Sequence, residues 1–266
     1  VGLEFTKYEG LGNDFIVVDE EVPRDEAIAL CDRHLGVGAD GVLITGIDES
    51  GPFMRVINAD GSTPQMCGNG LRCVALHLAS RVDDGEFDVA TDAGSHRCEV
   101  LEDGRVRVEM AVPSLSPADL PVESESEVID APWDVDGKEH RVTCVSMGNP
   151  HVVLFGVGEE RAALGPRLES DPRFPERVNV GFADMAGPSE MKLAVYERGV
   201  GWTRACGTGA CAAAVAAVET GRAERQRSIE VELPGGVLEI VVRERGKRIS
   251  MTGPARRVFA GTVSRA

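Results

Sequence analysis

Asn58-Ala59-Asp60-Gly61-Ser62-Thr63-Pro64-Gln65-Met66-Cys67-Gly68-Asn69-Gly70 places a cysteine directly before a Gly-x-Gly turn, and the apolar run Leu71 to Ala79 that follows has the spacing of a helix. A cysteine at the start of a helix feels the positive end of the dipole and unpaired backbone N–H groups, which favour the thiolate. The chain then does the same thing again. Glu197-Arg198-Gly199-Val200-Gly201-Trp202-Thr203-Arg204-Ala205-Cys206-Gly207-Thr208-Gly209 leads into a second small apolar run, Ala210 to Val218, ending at Gly221. Asn58 precedes Cys67 by nine residues, and Glu197 precedes Cys206 by nine. Strand-like runs, Phe53 to Ile57 and Met191 to Tyr196, lie before each. Two copies are too few for a solenoid and fit a duplicated domain with one cysteine from each half.

Working outward, Gly12-Asn13-Asp14-Phe15-Ile16-Val17-Val18 is echoed by Gly148-Asn149-Pro150-His151-Val152-Val153-Leu154, so the order and spacing persist across the chain. Strands are predicted near 3–8, 15–19, 42–47, 53–57, 87–90, 95–101 and 105–110, with a short helix over 25–33. In the second half they fall near 141–146, 151–155, 179–183, 191–196, 229–233, 237–242 and 248–251, with a helix near 161–168. Gly36-Val37-Gly38-Ala39-Asp40-Gly41 matches a dinucleotide fingerprint in letters, but it precedes a strand instead of opening a helix, so it is set aside. The Pro-, Ser- and Glu-rich stretch 113–132 reads as a linker. Strands grouped about one long helix per half indicate an α+β arrangement and not a βαβ alternation.

A net charge of −16 argues against nucleic acid or an anionic membrane as partner. Of 28 basic residues only Lys7, Lys138, Lys192 and Lys247 are lysine. An acidic, lysine-poor surface suits either a salt-rich cytoplasm, where repulsion is screened, or an ordinary acidic enzyme. Seven cysteines in no framework spacing indicate a reducing compartment. With no apolar run of membrane-spanning length and no signal-peptide pattern, a cytoplasmic location is expected. The sequence does not reveal the oligomeric state and leaves a homodimer open.

Two thiols on equivalent elements of different halves would face each other if the halves close about a pseudo-twofold axis. Inverting a stereocentre needs that arrangement: a thiolate removes the Cα proton and a thiol returns one from the opposite face. The Gly-Asn-Gly and Gly-Thr-Gly turns would offer N–H groups to a substrate carboxylate as it becomes enediolate-like. No lysine lies in either motif, so a pyridoxal Schiff base is not expected and the chemistry should need no cofactor. Metal-ligand spacing is absent as well; Cys31, Cys73, Cys98, Cys144 and Cys211 are read as core residues.

Gly-Leu-Gly-Asn-Asp-Phe (10–15), Asn-Ala-Asp-Gly-Ser (58–62), Met-Cys-Gly-Asn-Gly-Leu-Arg-Cys (66–73), Gly-Asn-Pro-His (148–151), Arg-Val-Asn-Val (177–180), Glu-Arg-Gly (197–199) and Ala-Cys-Gly-Thr-Gly-Ala-Cys-Ala (205–212) together resemble the diaminopimelate epimerase family. The resemblance spans nearly the whole chain, in order. It implies two similar domains, residues 1–113 with 254–266 and residues 114–253, each a barrel-like sheet round a central helix, with the site in the cleft. It implies that Cys67 and Cys206 are the acid–base pair, with His151 and Glu197 orienting the reacting end. Gly68, Asn69, Gly207 and Thr208 would hold the reacting carboxylate. Asn13, Asn58, Asn149, Asn179 and Arg198 would hold the rest of a two-headed amino acid, with Glu197 against an ammonium. The product would serve diaminopimelate and lysine biosynthesis. Gly41 stands where many members carry Gln, so any contact from that side chain is missing here. Proline racemases usually read Met-Cys-Gly-His-Gly at the first motif. A related amino-acid racemase of broader specificity, or a non-catalytic amino-acid binder, remain the alternatives.

Overall fold

The computed structural model describes residues 2–82 and 85–264. The chain divides into two units, Val1–Glu109 with Thr252–Ala266 and Met110–Met251. The first contributes β1 (Gly2–Gly10), β2 (Asn13–Val18), α1 (Arg24–Cys31), β3 (Gly41–Asp48), β4 (Gly51–Asn58), α2 (Gly68–Leu78), β5 (Glu86–Thr91), β6 (Gly94–Val100) and β7 (Val106–Glu109). The second contributes β8 (Ala131–Val135), β9 (Lys138–Ser146), β10 (Pro150–Phe155), α3 (Arg161–Glu169), β11 (Asn179–Gly187), β12 (Glu190–Glu197), β13 (Gly201–Thr203), α4 (Gly207–Glu219), β14 (Ser228–Leu233) and β15 (Gly236–Val241). β16 (Ser250–Gly253) spans the boundary in sequence, and β17 (Arg256–Ser264) returns to the first unit. There it pairs antiparallel with β1, from Gly2 opposite Ser264 to Glu9 opposite Arg256.

The two units repeat one topology. In the first, β1–β2 is antiparallel, β2–β3 parallel, β3–β4 antiparallel, β4–β5 parallel and β5–β6 antiparallel. In the second, β9–β10, β10–β11, β11–β12, β12–β14 and β14–β15 follow the same alternation. Parallel neighbours need a crossover, and each α-helix among the described residues lies in sequence between one such pair. The α+β class stands, but the expected lack of βαβ connections does not. Hairpin-like strand spacing dominates the sequence and hides the crossovers.

α2 contacts β1, β2, β3, β4, β6, β7 and β17, so the sheet wraps it. α4 likewise contacts β9, β10, β11, β12, β14 and β15. The sequence of α4, Gly-Thr-Gly-Ala-Cys-Ala-Ala-Ala-Val-Ala-Ala-Val-Glu, explains its place. Alanine is the best helix former and presents no bulk, so a helix buried nearly all round can sit close against strands. Cys73 and Cys211 point into these cores, and Cys31, Cys98 and Cys144 are buried too.

The stretch 113–132 is not a linker. Leu120, Val122 and Val128 belong to the second unit's core, with Trp133, Leu154, Leu168 and Phe182. Its backbone is tied down by Ser114 paired with Ser146, by Glu123 N–H to the Arg173 carbonyl (2.9 Å) and by Cys144 N–H to the Val128 carbonyl (2.8 Å). Proline and serine set the local turns while apolar residues spaced among them anchor the path, which composition alone conceals.

Candidate active site

β4 ends at Asn58 and β12 at Glu197. Each strand leaves through a turn closed three residues on, with Gly61 N–H to the Asn58 carbonyl at 2.8 Å and Val200 N–H to the Glu197 carbonyl at 3.1 Å. The second turn needs φ near 75° at Gly199, which a glycine supplies without strain. Each path then reaches its cysteine in extended geometry, with φ and ψ of −135° and 112° at Cys67 and −129° and 105° at Cys206.

Both cysteines are the N-caps of their helices. Cys67 Sγ accepts the Gly70 N–H at 3.4 Å, and Cys206 Sγ accepts the Gly209 N–H at 3.4 Å. The sulfur therefore does what a serine or aspartate oxygen usually does at this position. The last glycine of each motif is required by close approach. A Cβ on Gly70 would lie 3.0 Å from Leu43, and one on Gly209 would lie 3.1 Å from Val195 and 3.2 Å from Cys206 Sγ.

In the first unit Cys67 is half-buried. Asn69 Nδ2 donates to Asn13 Oδ1 at 3.4 Å, and Arg72 Nη2 donates to Asn69 Oδ1 at 2.8 Å. Arg72 is fully buried and also donates to the carbonyls of Gly68 (3.3 Å) and Pro254 (3.1 Å). One guanidinium thus pins the first turn of α2 to the returning C-terminal chain. Asn13 Nδ2 donates to Asp40 Oδ2 at 2.6 Å, which turns its carbonyl oxygen away from Asp40. Asp40 also accepts from Asp14 N–H and from Arg33, and Arg33 with buried Lys7 holds Asp14. Burial raises the Asp14 pKa, but the hydrogen bonds and charges of Arg33 and Lys7 outweigh it and hold the group at about 2. Asn58 Nδ2 donates to Ser62 Oγ at 2.9 Å. Gly41 pairs with Asn58, and a Cβ there would meet the Ile57 carbonyl at 3.0 Å, so this backbone suits glycine.

In the second unit Cys206 is buried. Glu197 acts on its thiol electrostatically, Thr208 Oγ1 lies 3.6 Å from the sulfur, and Asn149 Nδ2 donates to Thr208 Oγ1 at 3.5 Å. Burial pushes the Cys206 pKa strongly up, the Glu197 charge pushes it further, and the bonds from Thr208 and Gly209 only partly offset this. The expectation that a helix start favours a resting thiolate fails at Cys206, because desolvation costs more than two hydrogen bonds to sulfur return. Burial also raises the Glu197 pKa, opposed by the Thr203 hydrogen bond and by Cys206.

His151 Nε2 pairs with Asn149 Oδ1 at 3.1 Å, and burial together with the Arg198 charge pushes its pKa down to about 3. The ring is neutral at neutral pH. Asn179 Nδ2 donates to the Pro150 carbonyl (2.9 Å) and Oδ1 accepts the Arg198 N–H (3.0 Å), so this amide fixes the backbone that carries Arg198. The Arg198 side chain is exposed, with Nη1 on the Glu176 carbonyl at 2.9 Å. The structure therefore joins Asn13 with Asn69 in one unit. In the other it joins Asn149, His151 and Thr208, and separately Glu197 with Cys206 and Asn179 with Arg198.

Sequence reasoning missed Arg72, Asp40 and Thr203. The signal at Arg72 was a lone charge inside an apolar helix; that at Asp40 was an acid within the discarded glycine-rich stretch 36–41. Among the described residues no group of three or more His, Cys, Asp or Glu is placed to hold a metal ion, and no helix is long and apolar enough to cross a membrane.

The sequence pattern of the diaminopimelate epimerase family matches residues 5–116 and 143–258. The chain belongs to this family. It is 45% identical over 284 residues to diaminopimelate epimerase 1 of Nostoc sp. (strain PCC 7120), covering 99% of this chain and 100% of that protein. It is 46% identical over 285 residues to the chloroplastic diaminopimelate epimerase of Oryza sativa subsp. japonica, covering 98% and 80%. Among solved structures, a probable proline racemase from Agrobacterium radiobacter K84 superposes with a TM-score of 0.70 at 14% identity, covering 99% of this chain and 93% of that one. At that identity the likeness speaks for the fold.

Proposed function

We propose that this chain is an isomerase that interconverts LL- and meso-2,6-diaminopimelate without a cofactor, using Cys67 and Cys206 as the two proton-transfer groups. The observation that carries the reading is the repeated placement of a cysteine as N-cap of the central helix in two units of one topology, in a chain 45% identical to a diaminopimelate epimerase over its length. Each turnover requires both sulfurs to reach one α-carbon from opposite faces. One thiolate takes the Cα proton and becomes a thiol; the other thiol gives its proton to the carbanion and becomes a thiolate. The substrate is inverted and the two sulfurs have exchanged roles.

Burial and the Glu197 charge favour the thiol at Cys206, which suits it to give the proton in the direction where Cys67 acts as base; in the reverse direction the roles swap. Thr208 and Gly209 then stabilise the Cys206 thiolate as its proton leaves. The N–H groups of Gly68, Asn69, Gly207 and Thr208 lie in the first helical turns, where the positive dipole end favours a carboxylate taking on enediolate charge. Glu197 receives the ammonium. Asn13, Asn58 and Asn149 present amides, and the exposed Arg198 guanidinium takes the distal carboxylate in two-pronged fashion, held in place by Asn179. His151, neutral, supports Asn149 and does not carry the proton.

Purified protein given LL-diaminopimelate in deuterium oxide, under reducing conditions, should gain deuterium at one α-carbon and yield the meso form. Exchange with lysine, proline or histidine but not with diaminopimelate would transfer the assignment to a broader racemase. No exchange with any of them would leave a binding protein.

A further inference from the structure

The geometry points to Thr203 as a positioning residue: its hydroxyl holds the Glu197 carboxylate in the ionised state and orientation that the Cys206 thiol and a substrate ammonium need. This rests on the function proposed above. Thr203 ends β13, a three-residue strand paired with β12 so that Thr203 stands opposite Val195. From there Thr203 Oγ1 donates to Glu197 Oε1 at 2.5 Å. A hydroxyl that donates to a carboxylate stabilises the anion and fixes its rotation about the last side-chain bond. Glu197 and the Cys206 thiol act on each other electrostatically, so the carboxylate that Thr203 holds from β13 is the one that bears on the sulfur at the start of α4.

Burial, Thr203 and Cys206 are the influences on this carboxylate, and the charged or titratable groups on the elements packed beside β12 are committed elsewhere. Arg198 runs to the Glu176 carbonyl, His151 on β10 pairs with Asn149, and Glu169 on α3 accepts from Arg177 and the Gly199 N–H. No guanidinium or ammonium among these neighbours takes over the stabilising task. The first unit offers an instructive contrast. Asn58, at the place corresponding to Glu197, is supported by the Ser62 hydroxyl four residues on. It carries no charge whose ionisation needs support. Thr203 is therefore tied to the acid specific to the second unit and not to a general feature of the repeat.

Thr203→Val removes the donor and keeps the shape; Thr203→Ser restores the donor. Full-length protein labelled with 13C-carboxyl glutamate is titrated by NMR, with Glu197→Gln assigning the signal. Loss of one hydrogen bond to the anion should raise the Glu197 midpoint by about one pH unit in Thr203→Val, with return toward wild type in Thr203→Ser. The acid limb of kcat/KM for LL-diaminopimelate should move up with it by the same amount, and the plateau above the limb should fall as the carboxylate loses its fixed orientation, both recovering in Thr203→Ser. An unchanged carboxyl midpoint in folded Thr203→Val overturns the inference. So does a uniform loss of activity at every pH with no movement of the limb, which a merely structural role would give. If wild-type protein fails to turn over diaminopimelate, the proposed function falls, and the carboxyl titration still decides the role of Thr203.

Discussion

Cys206 caps its own helix through Gly209, whose N–H reaches the sulfur at 3.4 Å, and Cys67 does the same through Gly70. The sulfur is thus both a structural cap and the proposed proton carrier, and the two roles can be separated by substitution. Cys206→Ser and Cys67→Ser should keep the cap, holding the urea midpoint within about 1 kcal/mol of wild type, while proton exchange falls by roughly 10²- to 10⁴-fold because a hydroxyl titrates far too high. The corresponding alanine variants should lose about 1 kcal/mol more through the missing cap. Retained turnover in either serine variant would refute the two-thiol assignment.

Asp40 holds the Asn13 amide by accepting from Nδ2 at 2.6 Å. Asp40→Ala should free that amide to rotate, raising KM for diaminopimelate roughly tenfold with a smaller change in kcat, as expected for one charged hydrogen bond in a binding contact. Steady-state kinetics decide it; an unaltered KM would remove Asn13 from substrate recognition or Asp40 from its support.

Arg72 is a buried charge satisfied by Pro254, Gly68 and Asn69. Arg72→Met fills much of the space but leaves these acceptors unpaired, and should cost about 3 kcal/mol of stability. Urea unfolding followed by circular dichroism measures this, and a loss below about 1 kcal/mol would mean that α2 is held by packing alone.

Leu120 lies in the stretch whose composition reads as a linker yet is fully buried. Leu120→Ala should destabilise by about 2–4 kcal/mol through a core cavity. A neutral effect in chemical denaturation would return the stretch to linker status.

Acid should unfold the protein in two windows of different origin. Asp14 sits at about 2 in the folded state against an ordinary 3.8, so the stability it contributes is full above about pH 4 and is lost as pH falls through 2. His151 is held at about 3 against 6.5, so the unfolded chain binds its proton first and stability declines as pH falls from 6.5 toward 3. The urea midpoint followed from pH 7 to 4 should therefore drop, and His151→Gln should flatten that slope. An equal slope in the variant would contradict the neutral buried imidazole.

Much was legible in the letters because it depends on local rules. Cys-Gly-x-Gly before an apolar run marks a helix start wherever it occurs, and its repetition nine residues after Asn58 and Glu197 exposed the duplicated design. That each helix is enclosed by strands came from the family resemblance, and the alanine-rich composition of α4 accounts for it once the structure is seen. What depended on distant residues was not legible. Leu120, Val122 and Val128 sit among prolines and serines, and only their packing against Trp133 and Leu168 shows them as core. The parallel pairing of β2 with β3 and of β10 with β11 arises from crossovers that periodicity does not encode. Asp40, Arg72 and Thr203 acquire meaning from a single partner each, brought close by the fold.

The letters by themselves determined where two thiols and their helices lie along the chain and which chemistry such a pair can perform, since thiol reactivity and helix capping are properties of a few adjacent residues. Only the tertiary structure decided the protonation bias of Cys206. That bias follows from removal of water around the sulfur and from the Glu197 charge beside it, and solvent exclusion is a property of the packed surroundings, not of neighbours in sequence.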